Sequence, residues 1–210
     1  MIRYLIIAMG LLPVLSACGQ RQEPAVPPAA MEAAPAKQSQ SEAQPATAAF
    51  ASELELQGVA FSVVCPNAPG TNTVTISTKG LAEDNSTWSQ EFDGVVTNAE
   101  VADLNADGSP EIYIYLKSHA DDAKGSVLAY VANNRKSLSM ASMRSLDDTP
   151  GAAEGYRGGD EFAVLEGVLG RRFPVHHAAG APTGRTRQLQ YVLKAGEAGW
   201  LLQVDNIVEF

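Results

Sequence analysis

The sequence from about Phe50 to Phe210 predicts an all-β domain, an antiparallel β-sandwich of two packed sheets with little helix. Apolar and polar residues alternate over short segments, and glycine-containing turn signals separate those segments. No segment combines a long 3.6-residue period with helix caps. The stretch is long enough to bury one hydrophobic core but too short for two domains, so we expect a single domain over residues 50–210.

The alternation is clearest at the C-terminal end, where Leu189, Tyr191 and Leu193 share one face of a predicted strand and the segment 195–199 forms a hairpin turn. A second strand follows from Trp200 to Val208. The other predicted strands are Glu53–Val64, Thr73–Thr78, Thr87–Phe92, Val95–Leu104, Glu111–Lys117, Gly125–Val131, Leu138–Arg144 and Glu161–Val168. The turn signals between them are Pro69-Gly70, Asp93-Gly94, Asp107-Gly108, Asn133-Asn134 and Gly158-Gly159.

The N-terminus has the layout of a secretory signal, because Arg3 precedes an apolar run from Tyr4 to Leu15. A membrane-spanning helix needs roughly 20 apolar residues, so this run is too short to be one. The segment Leu15-Ser16-Ala17-Cys18 resembles the lipobox of bacterial lipoproteins. That resemblance implies a signal peptide over residues 1–17 and acylation of Cys18. Gly19 in place of aspartate favours sorting to the outer membrane, facing the periplasm.

Residues 18–49 are rich in Ala, Pro and Gln, with Val26 and Met31 as the only larger apolar side chains after the lipidated cysteine and before the domain. Such a composition cannot bury enough surface to offset the entropy of ordering the chain, so we predict a disordered tether.

The net charge of −9 disfavours nucleic acid as a partner and suits a basic protein. With Cys18 acylated, Cys65 has no disulfide partner, and we expect a small buried side chain there rather than a reactive nucleophile.

The most specific local motif places oxygen-bearing side chains at Asp103, Asn105 and Asp107, followed by a glycine and a closing acid, Glu111. Loops of this kind wrap calcium. An EF-hand is excluded because its twelfth position is Ile114 here, and the flanking strands make the loop more similar to those of FG-GAP-type β modules. The alternative is a tight turn without metal, since Asn, Asp and Gly also stabilise turns.

Catalytic residues are not expected, because the sequence has no GxSxG, HExxH or Walker motif. We expect His119, His176 and His177 to be solvent-exposed, and the acidic pairs Asp121-Asp122, Asp147-Asp148 and Asp160-Glu161 to be solvated in or beside loops. Tyr156 and Arg157 lie among glycines, which suits an exposed recognition loop. The alternative is a loop that folds back and packs Tyr156 on the sandwich.

Five blocks of the domain carry a family resemblance. They are residues 100–113 (EVADLNADGSPEIY), 126–130 (SVLAY), 158–164 (GGDEFAV), 171–174 (RRFP) and 186–191 (TRQLQY). Together they resemble the periplasmic inhibitors of invertebrate-type (i-type) lysozyme. The resemblance implies a non-enzymatic β-sandwich, often dimeric, that inserts a loop into the lysozyme cleft and protects peptidoglycan.

In that family the inserted loop resembles Ser-Gly-Ser-Tyr before a strand, and the corresponding region here runs from Ser118 to Ser126, with Lys124 in place of the tyrosine. Ser118, Lys124 and Ser126 can donate hydrogen bonds to an enzyme's carboxylates. With Tyr156 and Arg157 they are the candidate inhibitory residues. The alternative for Ser118, Lys124 and Ser126 is that they are solvated loop residues. The alternative functions for the protein are a calcium-binding envelope module with a structural or adhesive role and, least favoured, a hydrolase that uses Ser118 or His119.

Overall fold

The computed structural model describes residues 49–120 and 123–210. The predicted signal peptide, the predicted lipidation site Cys18 and the predicted tether up to residue 48 lie outside these ranges. The described residues form two packed sheets and no helix, which confirms the predicted β-sandwich class. Within these ranges no helix is long and apolar enough to cross a membrane.

The strands follow one another along the chain with short connections. They are β1 (Phe50–Leu56), β2 (Val59–Cys65), β3 (Thr71–Lys79), β4 (Trp88–Asp93), β5 (Val95–Ala102), β6 (Glu111–Lys117), β7 (Gly125–Asn133), β8 (Ser137–Met143), β9 (Glu161–Leu165), β10 (Val168–His176), β11 (Pro182–Gly196) and β12 (Gly199–Glu209).

Two of the predicted strands are wrong in extent, because each runs through a hairpin turn into the next strand. The segment Glu53–Val64 contains the end of β1, a two-residue turn at Gln57-Gly58 and β2. Both turn residues have positive φ, 52° and 80°, as type I′ hairpins require. The segment Glu161–Val168 likewise turns at Glu166-Gly167 and continues as β10, which the sequence analysis did not separate.

The first sheet has the order β1-β2-β3-β4, and the second has the order β5-β6-β7-β8-β12-β11-β10-β9. All pairs are antiparallel except one, since β8 and β12 pair in parallel over the short stretch from Ala141–Trp200 to Met143–Leu202. This pair departs from the purely antiparallel prediction. It joins the β5–β8 meander to the β9–β12 meander, so the second sheet is continuous.

The domain has two hydrophobic clusters, and β6 belongs to both. Successive side chains of a strand point to opposite faces. Ile112, Ile114 and Leu116 therefore pack against the first sheet, together with Phe61 from β2. Tyr113 and Tyr115 point the other way, into a cluster with residues of β10, β11 and β12. Full burial of such side chains contributes about 1.5–3 kcal/mol each, so β6 stabilises both clusters.

The two edges of the second sheet approach each other. Glu100 on β5 accepts hydrogen bonds from the Tyr115 hydroxyl and, at 2.9 Å, from the backbone N–H of Val164 on β9. This carboxylate therefore satisfies an edge amide of the opposite strand and holds the curved sheet partly closed around the second cluster.

Candidate functional site

The site is organised around Asp160, whose side chain is completely buried. One carboxylate oxygen accepts from Arg171 Nε at 2.6 Å, and the other accepts from the Tyr156 hydroxyl at 2.6 Å and the Gly125 N–H at 2.7 Å. Gly159 N also donates to the carbonyl of Ala123 at 3.3 Å. One carboxylate thus ties the segment before β9 to the start of β7 and to β10.

Arg171 lies over three aromatic rings. Its guanidinium carbon is 5.1 Å from the ring centre of Tyr156, 5.4 Å from that of Phe162 and 5.9 Å from that of Phe173. Arg171 Nη2 also donates to the Tyr156 hydroxyl at 3.0 Å. Burial and the hydrogen bond to Asp160 raise the pKa of Tyr156, so its hydroxyl keeps its proton at neutral pH. The cation–π contacts and the ion pair hold Tyr156 in one position.

Beside this cluster lies a cleft of about 510 Å³, formed by the start of β7, the segment after β8 and Tyr156. We call it the cation-lined cleft, because its walls carry three cations and a single acid. The polar residues that line it are Lys124, Ser126, Arg144, Ser145, Asp147, Tyr156 and Arg171. Within the described part of the chain the exposed Arg144 guanidinium makes no ion pair or hydrogen bond. Since Arg171 is paired with Asp160, the local excess of positive charge comes from Lys124 and Arg144 against Asp147, within a chain of net charge −9.

Three of the five candidate inhibitory residues, Lys124, Ser126 and Tyr156, line this cleft. Ser118 lies at the base of its loop, where its N–H donates to the Lys124 carbonyl at 2.9 Å and its hydroxyl accepts from Ala120 N at 3.0 Å. Arg157 is exposed, does not line the cleft, and donates to the Ala178 carbonyl at 3.1 Å. Tyr156 combines the two arrangements predicted for its loop. Its ring packs edge-on against Phe173 on the sandwich, and the residue also lines the cleft.

The residues that organise the site were not predicted from the sequence. Asp160 was expected to be solvated beside a loop, and that expectation is wrong because Arg171 neutralises it in the interior. The available signal was the pattern of β10, in which Leu169, Phe173 and Val175 are buried on one face and Arg171 falls on the same face. A buried cation needs a buried partner.

The Asp103 loop consists of residues 103–110 between β5 and β6 and of Glu111, the first residue of β6. Hydrogen bonds within the loop hold it closed, and Gln57 Nε2 donates to Asp103 Oδ2 at 2.7 Å. The two oxygens of Asp103 accept from Asp107 N and Gly108 N, each at 3.0 Å. Asp107 accepts from Asn105 Nδ2 and from Ser109 N, each at 2.8 Å. As these side chains stand, no group of three or more His, Cys, Asp and Glu residues in ranges 49–120 and 123–210 is positioned to hold a metal ion.

Glu111 closes this loop and is fully buried. Its Oε2 accepts from Leu104 N at 2.8 Å and from the Tyr113 hydroxyl at 3.2 Å, whereas its Oε1 has no hydrogen-bond partner. Burial above all, together with the nearby charges of Asp103 and Asp107, raises the pKa of Glu111 to about 7, against the opposing hydrogen bonds from Leu104 N and the Tyr113 hydroxyl.

The remaining sequence candidates lie apart from the cleft lining. Cys65 is buried, 2% exposed, as expected of a small core residue. His119 and His177 are exposed as expected, but His176 is half-buried and its Nδ1 lacks a hydrogen-bond partner, so the expectation of three exposed histidines is wrong for that residue.

No protein-family model, no curated protein and no solved structure matches the chain.

Proposed function

We propose that the domain is a non-enzymatic binding protein that inhibits an i-type lysozyme by occluding its active-site cleft, and that lipid on Cys18 anchors it to the outer membrane on the periplasmic side. The observation that carries the proposal is the cation-lined cleft. Three candidate inhibitory residues line it together: Lys124 and Ser126 at the start of β7, and Tyr156 in the segment before β9.

The rigidity of this surface supports a binding role. Asp160 and Arg171 lie beneath it and fix Tyr156 and the start of β7 through hydrogen bonds of 2.6 to 3.0 Å. A surface that is ordered before it meets its partner loses less conformational entropy on binding. Tyrosine also suits such a position, since its ring gives a large contact area with few rotatable bonds.

The charge of the cleft supports a carboxylate-bearing target. Glycoside hydrolases cleave with a pair of carboxyl groups, which must stay accessible to substrate and water. Lys124 and Arg144 can donate charge-assisted hydrogen bonds to such a pair, and Ser126 can donate a neutral one. The net negative charge of the chain attracts a basic lysozyme over longer distances, while these local cations match the acids of its active site.

The substitution of Lys124 for the family's loop tyrosine is compatible with this mechanism. Tyr156 presents an aromatic ring to the same cleft that Lys124 lines. In this proposal Tyr156 provides the aromatic contact, and Lys124 adds an ion pair that the family loop lacks.

The test is the rate of peptidoglycan lysis by a purified i-type lysozyme, measured as the full chain is added up to a several-fold molar excess. Charge reversal by Lys124→Glu and by Arg144→Glu is expected to raise the inhibition constant at least about tenfold each, since loss of one charge-assisted pair costs about 1.4 kcal/mol or more.

The matched control is Lys194→Glu, because Lys194 is an exposed lysine that does not line the cleft. Its inhibition constant should stay within about twofold of the parent, as expected for an exposed charge outside the contact. Unchanged lysis with an excess of the parent chain contradicts the proposal. If Lys124→Glu, Arg144→Glu and Lys194→Glu all raise the inhibition constant equally, the cation-lined cleft is not the inhibitory surface.

A further inference from the structure

The Asp103 loop presents oxygen atoms on a closed backbone ring. Asp103 fixes the ring by accepting from Asp107 N and Gly108 N, and Gly108 has a φ of 82°, a conformation that favours glycine. The side chains of Asp103, Asn105 and Asp107 follow one another at alternate positions of this ring. These contacts alone describe a stable turn.

Glu111 is the independent observation that points to a ligand. A fully buried carboxylate oxygen without a partner is costly, and each such group in a folded protein needs an explanation. The Glu111 carboxylate lies under the first turn of the loop, because its other oxygen accepts from Leu104 N at 2.8 Å. A cation held between this carboxylate and the Asp103 loop would satisfy the free oxygen.

We propose that the Asp103 loop binds one Ca²⁺ ion through side-chain oxygens of Asp103, Asn105, Asp107 and Glu111. All four residues supply oxygen and none supplies nitrogen or sulfur from His or Cys, which disfavours zinc. Calcium takes 6–8 oxygen ligands in flexible geometry, so backbone carbonyls and water complete its shell, whereas Mg²⁺ demands a tighter octahedron. This site is separate from the cleft, and the proposal does not depend on lysozyme inhibition.

Binding requires a local rearrangement of side chains. Asp107 must exchange its hydrogen bond with Asn105 Nδ2 for a bond to the ion. Asn105 Oδ1 and Asp103 Oδ2, which accept from Asp107 N at 3.1 Å and from Gln57 Nε2 at 2.7 Å, must share or exchange these bonds. Asp107 is exposed, so the exchanged hydrogen bond contributes little. The backbone ring that holds Asp103 in place can stay as it is.

The experiment is calorimetric titration of CaCl₂ into the chelator-treated full chain, with the thermal midpoint measured in EDTA and in calcium. We expect one site per chain and a midpoint that rises with calcium. Asp107→Asn should weaken binding at least about tenfold, as removal of one charged ligand does in loops of this kind. The matched control is Asp84→Asn, because Asp84 also caps a turn, accepting from Ser86 N at 2.8 Å, but lies outside the loop.

Glu111→Gln tests the buried ligand and should abolish the response while circular dichroism shows the same β structure. If that variant does not fold, Asp107→Asn still decides, because its residue is exposed. Absence of heat and of a midpoint shift up to about 10 mM calcium, above the weakest range of extracellular calcium modules, would overturn the proposal. So would an equal response in the Asp107 variant, or an equal response to Mg²⁺.

Discussion

Replacing Asp160 with asparagine tests whether the buried ion pair organises the site. The substitution keeps the shape of the side chain and removes its charge. Arg171, whose side chain is only 9% exposed, is then left without a counter-charge. The Gly125 N–H and the Tyr156 hydroxyl, at 2.7 and 2.6 Å, must share one remaining acceptor with Arg171. Three partners compete for one oxygen.

The expected loss in the free energy of unfolding is about 3–5 kcal/mol, the range for removing one partner of a buried pair. For a domain of this size that corresponds to a fall in the thermal midpoint of about 6–20 °C. Urea unfolding followed by circular dichroism measures the loss, provided the slope with denaturant stays the same.

The matched control is Asp205→Asn, since Asp205 is 58% exposed and 4.0 Å from Lys194. A solvent-exposed pair of this kind contributes about 0–1 kcal/mol. If Asp160→Asn costs no more than this control, the ion pair does not hold the loops together, and the argument that the cleft is ordered before binding fails.

Three further substitutions test other parts of the structure. The hydrogen bond from Arg187 lowers the pKa of Glu209 below the ordinary glutamate value, so its contribution to stability is present at neutral pH and is lost as pH falls through the lowered pKa. Glu209→Gln should therefore be less stable than the parent in urea at pH 7, and the difference should shrink as the pH is lowered through that pKa. Gly125→Ala places a methyl group 2.7 Å from two neighbouring side chains, so thermal unfolding should show a loss of about 1–3 kcal/mol. Glu100→Gln weakens the acceptor of the Val164 amide, and hydrogen exchange should speed up at that amide while β6 stays protected; unchanged exchange would show that the bond does not close the sheet.

The fold class was predictable because burial in strands follows a two-residue period that the sequence displays directly. The hairpins at Gln57-Gly58 and Glu166-Gly167 were missed because the alternation runs straight through a two-residue turn. The parallel β8–β12 pair was not predictable from local pattern, since it joins segments about 60 residues apart over three positions.

The candidate site was predictable only where a residue's own neighbours indicate its role. Tyr156 stands among glycines and Lys124 precedes a strand, and both line the cleft. The role of Asp160 depends on Gly125, 35 residues away, and on Arg171, 11 residues away. Only the folded arrangement brings those partners together, so the sequence analysis placed Asp160 in solvent.

The two proposed sites lie at opposite ends of the same strand. The Asp103 loop leads into β6 at Glu111, and β6 ends at Lys117, which pairs with Gly125 at the edge of the cleft. Seven residues of extended strand span about 20 Å. Both faces of β6 are packed, by Ile114 on one side and Tyr113 on the other. Close packing of this kind opposes a lengthwise shift of the strand. Calcium at one end should therefore stabilise the strand without altering the cleft at the other. A negative result for one proposal consequently does not contradict the other.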